Sequence, residues 1–418
     1  MSTFPKSFLW GAATAPHQIE GNNINSDWWA RESVMPGMEP SGDAVDSYHR
    51  YREDMRILAD SGLNAYRFGI EWARIEPREG EFSNAELAHY RRMIETAFEF
   101  GITPVVTLSH FTTPRWFAED GGWLSDKSTD RFVSYVTRAT TILNGVDWVV
   151  TINEPNMLAM MVMLQEAMRS GQMSQWQSPT VDGEAERERI AANLPVPTEE
   201  FGRPFIAAHE AAREVVRERT GAKVGWSIAN GALWSKPEHQ AKLDEVRYLW
   251  EDLYLEAALG DDYIGVQSYS SQEVNADGLV PHPEHPDNTM TGAAYRPDAL
   301  GTAIRHAASV TGLPVLVTEN GIATEDDKRR IAYTTEALAG LAGAAEDGVD
   351  VRGYLHWSLL DNYEWGHWKP KFGLVAVDRE TFVRSPKPSL AWLGEVSRRS
   401  GASNNLADGL GRVEGQSA

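Results

Sequence analysis

The sequence predicts an α/β protein built as a single (β/α)₈ TIM barrel. Three observations lead there: eight short apolar runs, helical periodicity in the intervals between them, and no linker-like break dividing the 418 residues into two domains. The runs fall at residues 8–15, 64–72, 103–111, 148–155, 223–230, 263–270, 314–321 and 353–362. Most are nearly continuous in apolar residues and end on polar or aromatic ones, the pattern of parallel strands covered on both faces. Residues 85–100 and 130–143 carry helical spacing, so strand and helix alternate. Residues 169–203, rich in charge, proline and small side chains, read as a long excursion between the fourth and fifth runs. The barrel domain is expected over residues 1–400, and residues 401–418, small and polar, read as a disordered tail.

Composition narrows the partners. Hydrophobic residues make up 42% and charged residues 24%, which is the range of folding globular chains. A formal charge of −21 makes any approach to nucleic-acid phosphates or an anionic membrane begin with repulsion, so neither is expected as a partner. The chain has no cysteine, which removes disulfides, thiolate metal sites and a cysteine nucleophile, and suits a reducing compartment. The first residues lack a basic stretch followed by an apolar core, and no run of about 18 apolar residues occurs, so a cytoplasmic location is expected. Fifteen tryptophans supply flat apolar faces, which fill cores and also stack on sugars.

In a barrel of this kind the reacting groups sit at the C-terminal ends of the strands, so the last polar residue of each run is the informative one. Two glutamates qualify: Trp148-Val-Val-Thr-Ile-Asn-Glu154 closes the fourth run and Val315-Leu-Val-Thr-Glu319 the seventh. Paired carboxyls are what glycoside hydrolysis needs, one to protonate the leaving oxygen and one to attack the anomeric carbon or activate water, and their spacing decides between retention and inversion. Either glutamate alone reads equally well as a helix cap or a structural ion pair.

Seven segments in order carry a further signal: Phe8-Leu-Trp-Gly-Ala-Ala-Thr-Ala15, Gln18-Ile-Glu-Gly21, Tyr66-Arg-Phe-Gly-Ile-Glu-Trp72, Val106-Thr-Leu-Ser-His110-Phe111, Thr151-Ile-Asn-Glu154-Pro155, Thr318-Glu319-Asn-Gly321 and Trp357-Ser-Leu-Leu-Asp-Asn-Tyr-Glu364-Trp365. Through them the chain resembles glycoside hydrolase family 1, the β-glucosidase-like β-glycosidases, over nearly the whole barrel. The resemblance implies a retaining β-glycosidase acting by double displacement on the terminal non-reducing β-glycosyl residue, with Glu154 as acid/base and Glu319 as nucleophile. Arg67 then stands beside the nucleophile to keep it ionised, and Tyr269 contacts it. By the same resemblance Gln18 and His110 face the 3-hydroxyl, Asn153 the 2-hydroxyl and Glu364 the 4- and 6-hydroxyls, with Trp357 beneath the ring and Trp365 beside it. A carboxylate at the 6-position implies rejection of 6-phosphosugars, although Lys369 and Lys371 lie close behind.

Three departures bear on specificity. Gln267-Ser268-Tyr269 stands where the family usually has Asn-Tyr-Tyr, so Gln267 keeps an amide but adds a methylene. The segment from Trp365 to Phe372 is one residue shorter than the commoner pattern, reshaping the rim near Trp368. After Glu154 the usual Gly-rich, Pro-Gly stretch is replaced by one with six methionines between Met157 and Met173, which reads as a core helix or as an adaptable aglycone entrance. No metal and no cofactor are expected: prolines interrupt His282-Pro-Glu-His285, and no Gly-rich nucleotide loop is present. A transglycosidase and a non-catalytic sugar- or protein-binding barrel stay open as alternatives, the second weakened by the presence of both glutamates. The aglycone, the choice among gluco-, galacto- and fuco-configured sugars, and the oligomeric state are not legible.

Overall fold

The computed structural model describes residues 4, 5, 7–171 and 195–403. Eight parallel strands close into a barrel: β1 (Leu9–Ala13), β2 (Ala65–Gly69), β3 (Thr103–Ser109), β4 (Trp148–Asn153), β5 (Lys223–Ala229), β6 (Ile264–Gln267), β7 (Val315–Asn320) and β8 (Val351–Trp357), with β8 pairing back onto β1. Every predicted run overlaps one strand, seven of them enclosing it and the eighth starting two residues after Val351, where β8 begins. The runs overshoot at their C-terminal ends, because those residues belong to the loops that build the mouth. Residue 72, taken as strand, instead opens a short helix, Trp72–Ile75.

The outer layer includes α1 (Ser47–Ser61), α2 (Asn84–Glu99), α3 (Ser128–Ala139), α4 (Pro155–Arg169), α5 (Glu199–Thr220), α6 (Gln240–Arg247), α7 (Ala299–Thr311), α8 (Asp327–Glu346) and α9 (Pro388–Ser403). Helix α2 starts where Ser83 accepts a bond from the Glu86 amide and buries Leu87, Tyr90, Met93, Ile94 and Ala97 at helical spacing. Helix α3 does the same with Phe132, Tyr135, Val136 and Ala139. The excursion expected over residues 169–203 is shorter than the sequence suggested: α4 reaches Arg169 and α5 begins at Glu199, because apolar positions such as Phe205, Ala208 and Ala212 pull the charged start of α5 into a helix that packs on the barrel. Residues 172–194 lie outside the described residues. Helix α9 continues to Ser403, past the expected boundary at 400, and the remainder of the predicted tail lies outside the described residues. No helix among the described residues is long and apolar enough to cross a membrane.

Two cores result. Leu9, Ala13, Val105, Val150, Tyr263, Leu316 and Leu355 fill the barrel interior, while Phe68, Val106, Val149, Val224, Val266 and Val317 face the helices. The close strand approach leaves no room at Gly225, where a Cβ would lie 2.3 Å from the Tyr263 carbonyl oxygen.

The registers of β4 and β7 shift near their C-terminal ends. Against β5, Val150 pairs with Gly225 but Asn153 with Ser227, and against β6, Val317 pairs with Val266 but Glu319 with Gln267. Each strand therefore carries one extra residue just before its glutamate. A bulge of this kind bends the strand and re-aims the side chains that follow, and here it turns both strand ends toward the mouth.

Candidate active site

Glu154 follows β4 directly and adopts φ 46°, ψ 62°, left-handed for a non-glycine residue. Its backbone N–H donates to the Ser227 carbonyl at 2.7 Å, and its own carbonyl accepts from Leu158 in the first turn of α4, which Pro155 opens. The chain is thus pinned on both sides of a strained residue, which is how such conformations persist at functional positions.

Glu319, on β7, is buried and held by three donors, one from β2 and two from the C-terminal end of β6. Arg67 Nη1 lies 2.6 Å from Oε1, Gln267 Nε2 donates to the same oxygen at 2.9 Å, and the Tyr269 hydroxyl donates to Oε2 at 2.5 Å. Arg67 is itself fixed by Thr107 Oγ1 at 2.9 Å and by Asn153 Oδ1, so it sits at the centre of a network joining β2, β3, β4 and β7. Gln267 Nε2 also donates to Asn153 Oδ1 at 2.7 Å. The added methylene of glutamine therefore lets one amide nitrogen bridge Asn153 and Glu319.

Burial raises the proton affinity of both glutamates, but unequally. Glu154 is pushed well above the carboxylate range by burial and by the nearby charge of Glu319, and Arg67 alone opposes this. Glu319 is raised by burial but pulled back by Arg67, Tyr269 and Gln267. The pair shares protons as a unit, and the proton goes to Glu154. Burial and the Glu319 charge drive the Tyr269 hydroxyl well above its ordinary value, so it stays protonated and donates.

The predicted sugar-binding residues surround this pair. His110 is kept neutral, since burial and the Arg67 charge push its pKa well below 6.5. Asn153 Oδ1 already accepts from Arg67 and Gln267, so its amide nitrogen faces His110 Nε2 at 3.2 Å and the ring proton falls on Nδ1. That Nδ1, Gln18 Oε1 and Gln267 Oε1 are buried without a protein partner among the described residues. Buried polar atoms of this sort are what a polyhydroxylated ligand satisfies. Gln18 is oriented by its Nε2, which donates to the Tyr363 carbonyl at 2.7 Å and Asn362 Oδ1 at 3.2 Å.

Glu364 receives the Trp357 indole N–H at 3.3 Å, and burial pushes it up to about 8. Near neutral pH this carboxyl can therefore donate as well as accept, and the full carboxylate charge on which the expected rejection of 6-phosphosugars rests develops only above about pH 8. Lys371 is turned to the Trp368 carbonyl, 2.9 Å away.

The His110 ring is near parallel to two tryptophans, 5.8 Å from Trp357 and 5.9 Å from Trp365. Behind Trp365 stand Phe111 and Trp28, each at 4.8 Å, and His17, stacked at 5.9 Å. His17 is fixed by Glu32 at 2.7 Å. The supports Thr107, His17, Trp28 and Phe111 were missed from sequence, although Thr107 and Phe111 lie within the quoted Val106–Phe111 segment.

Trp368 stands apart from this network. It is buried, donates its indole N–H to the Pro40 carbonyl at 3.0 Å, packs on Tyr363 and carries Arg379 over its ring at 3.6 Å. Of the methionines after Glu154, Met160 and Met163 are buried in the core of α4, as the helix reading expects. Met161 is half-buried and lines a cavity of about 190 Å³ beside Trp28, Phe111 and Trp123, so the apolar helix also forms a wall next to the mouth.

The sequence profile described as Glycosyl hydrolase family 1 matches residues 1–183 and 255–402. The thermostable β-glucosidase B of Thermobispora bispora is 30% identical over 444 residues, covering 96% of this chain and 92% of the relative. Among solved structures, a β-glucosidase designated 1317 is 41% identical with a TM-score of 0.84, covering 95% of this chain and 100% of that one. A Thermotoga maritima β-glucosidase in complex with glucoimidazole is 27% identical with a TM-score of 0.81, covering 96% and 100%.

Proposed function

The chain belongs to glycosyl hydrolase family 1, and from that premise we propose that it is a retaining β-glucosidase in which Glu154 is the acid/base and Glu319 the nucleophile. The observation that carries the reading is the unequal treatment of the two carboxyls: three donors hold Glu319 as an anion, while burial and that anion hold the proton on Glu154. In the first step a Glu319 oxygen attacks the anomeric carbon, the glycosidic bond breaks, and Glu154 gives its proton to the leaving oxygen. Glycosylation removes the negative charge of Glu319, which lowers the proton affinity of Glu154. Glu154 then takes a proton from water as that water attacks, and the bond to Glu319 breaks with net retention.

The sugar-binding shell follows the same reading. Gln18, His110, Asn153 and Glu364 take the hydroxyls, with Trp357 and Trp365 as apolar faces, and the unpartnered Gln18 Oε1 and His110 Nδ1 support those contacts. Gln267 tunes the nucleophile and the 2-hydroxyl side, and Trp368 stiffens the rim from behind. The absence of cysteine suits a reducing, cytoplasmic setting, and β-glucoside hydrolysis gives the chain a role in carbohydrate metabolism on this reading. One catalytic barrel domain spans the described residues.

The test is a panel of nitrophenyl β-glycosides followed by NMR, with and without an alcohol acceptor. Hydrolysis of the β-glucoside with β-glucose as the first-formed anomer is expected, and the acceptor arm reads how the intermediate divides between water and alcohol. First-formed α-glucose, or no turnover of any β-glycoside, would overturn the proposal.

A further inference from the structure

On the helix side of β4 a second chain of buried polar groups runs through the barrel wall. Thr151 Oγ1 lies 2.6 Å from Nδ1 of His209 on α5, and His209 Nε2 lies 3.0 Å from Oδ1 of Asp261, in the loop that leads into β6. The His209 and Asp261 side chains are fully enclosed, as is Thr151. A carboxylate only accepts, so His209 Nε2 carries a proton and its Nδ1 shares the remaining bond with the Thr151 hydroxyl. The ring cannot turn away, since it lies flat on Trp226 of β5 at 4.1 Å and 14°. Arg213 Nη1 holds the same Asp261 oxygen at 3.0 Å.

Threonine, histidine and aspartate in series look like a hydrolytic triad, but no substrate reaches enclosed groups. Their effect must pass through the backbone. Thr151 lies where the register of β4 against β5 gains its extra residue, between Val150 and Asn153. A residue in a bulge has lost regular ladder support, and a side-chain hydrogen bond to a rigid partner replaces it. Two residues further on is Asn153, which touches Arg67, Gln267 and His110, and the next residue is Glu154.

We propose that Thr151, His209 and Asp261 form a positioning relay that holds the β4 bulge and through it aims Asn153 and Glu154 into the pocket. The relay rests on Glu154 being the acid/base. Its signature is a loss that depends on the leaving group, because misaimed proton donation matters most when the departing oxygen is a poor leaving group.

The experiment compares kcat/KM for an alkyl β-glucoside and a dinitrophenyl β-glucoside in wild type, Thr151→Val, Thr151→Ser and Asp261→Asn. Each enzyme is quantified by active-site titration, so that loss of folded protein does not enter. Thr151→Val is expected to lose roughly tenfold or more on the alkyl substrate relative to the dinitrophenyl one, with Thr151→Ser within about twofold of wild type. Asp261→Asn should show the same split and carries the test if Thr151→Val does not fold. Equal losses on the two substrates, or a lowered Tm with unchanged kinetics, would overturn the relay and leave these residues as packing. Glu154→Ala serves as the control. If it shows the split and the relay variants do not, the relay alone fails; if it shows none, the acid/base assignment fails first.

Discussion

Arg67 Nη1 and Glu319 Oε1 are 2.6 Å apart, with the Arg67 side chain fully buried and that of Glu319 5% exposed, so a charge pair joins β2 to β7 at the floor of the pocket. The pair fixes more than orientation. Arg67 is the one positive group that lowers the proton affinity of both glutamates, and its direct bonds go to Glu319 and Asn153 rather than to Glu154.

Removing that charge should be costly twice over. Arg67→Gln leaves a buried carboxyl without its partner, which typically destabilises by about 3–5 kcal/mol. The proton affinity of Glu319 rises further, so the acidic limb of the kcat/KM profile, set by the ionised nucleophile, should move to higher pH. Thermal unfolding and a pH–rate series check both parts, and an unmoved acidic limb would contradict the assignment.

Gln267 tests a local departure from the family pattern. Gln267→Asn retracts the amide by a methylene and should break at least one of its bonds to Glu319 and Asn153. A hydrogen bond to a charged group contributes about 1.5–3 kcal/mol, so kcat/KM is expected to fall roughly tenfold or more, again with the acidic limb shifted upward. Kinetics equal to wild type would mean that the bridge is idle.

The two glutamates can be separated by the face of the sugar each serves. Glu319→Gly should lose more than about 10⁴-fold in kcat and, given azide, form an α-glycosyl azide, because the anion fills the space of the lost carboxyl. Glu154→Ala should keep most of its first step on a dinitrophenyl glucoside, accumulate the glycosyl-enzyme and yield a β-glycosyl azide. The anomeric configuration of the two azides, read by NMR, decides both roles, and the same configuration from both variants would sink the pairing.

On the proposed reading of the pocket, Glu364 should couple ligand choice to pH. Its carboxyl, raised from 4.5 to about 8 by burial, takes up a proton on folding between those values, so its contribution to stability falls as pH rises from 4.5 to about 8. The wild type should therefore lose Tm relative to Glu364→Gln across that window. Discrimination against a glucoside 6-phosphate should grow as the carboxylate forms, so the ratio of kcat/KM for glucoside over its 6-phosphate is expected to increase from pH 7 to pH 9 in wild type and to stay flat in Glu364→Gln. Comparable efficiency on both substrates at pH 9 would show that the phosphate finds a cation such as Lys369 or Lys371.

The barrel and the placement of two carboxyls at strand ends were legible along the chain. Eight buried runs alternating with helices admit one simple closure, and a barrel presents the end of every strand at one mouth, so Glu154 and Glu319 could be brought together on paper. Strand ends were read too long, because the last residues of each run serve the pocket and apolar character alone does not mark where the ladder stops. In the sequence, protonation of Glu154 is only what the resemblance implies; its physical cause is set in the fold, where Arg67, Gln267 and Tyr269 bond Glu319 while burial raises Glu154. Arg67 is 252 residues from Glu319, and Gln267 is 114 from Asn153, so the fields and hydrogen bonds that set those protonation states are local in space and remote along the chain. The extra residues in β4 and β7 were hidden for the same reason: a register exists only between two strands, and no single strand carries it.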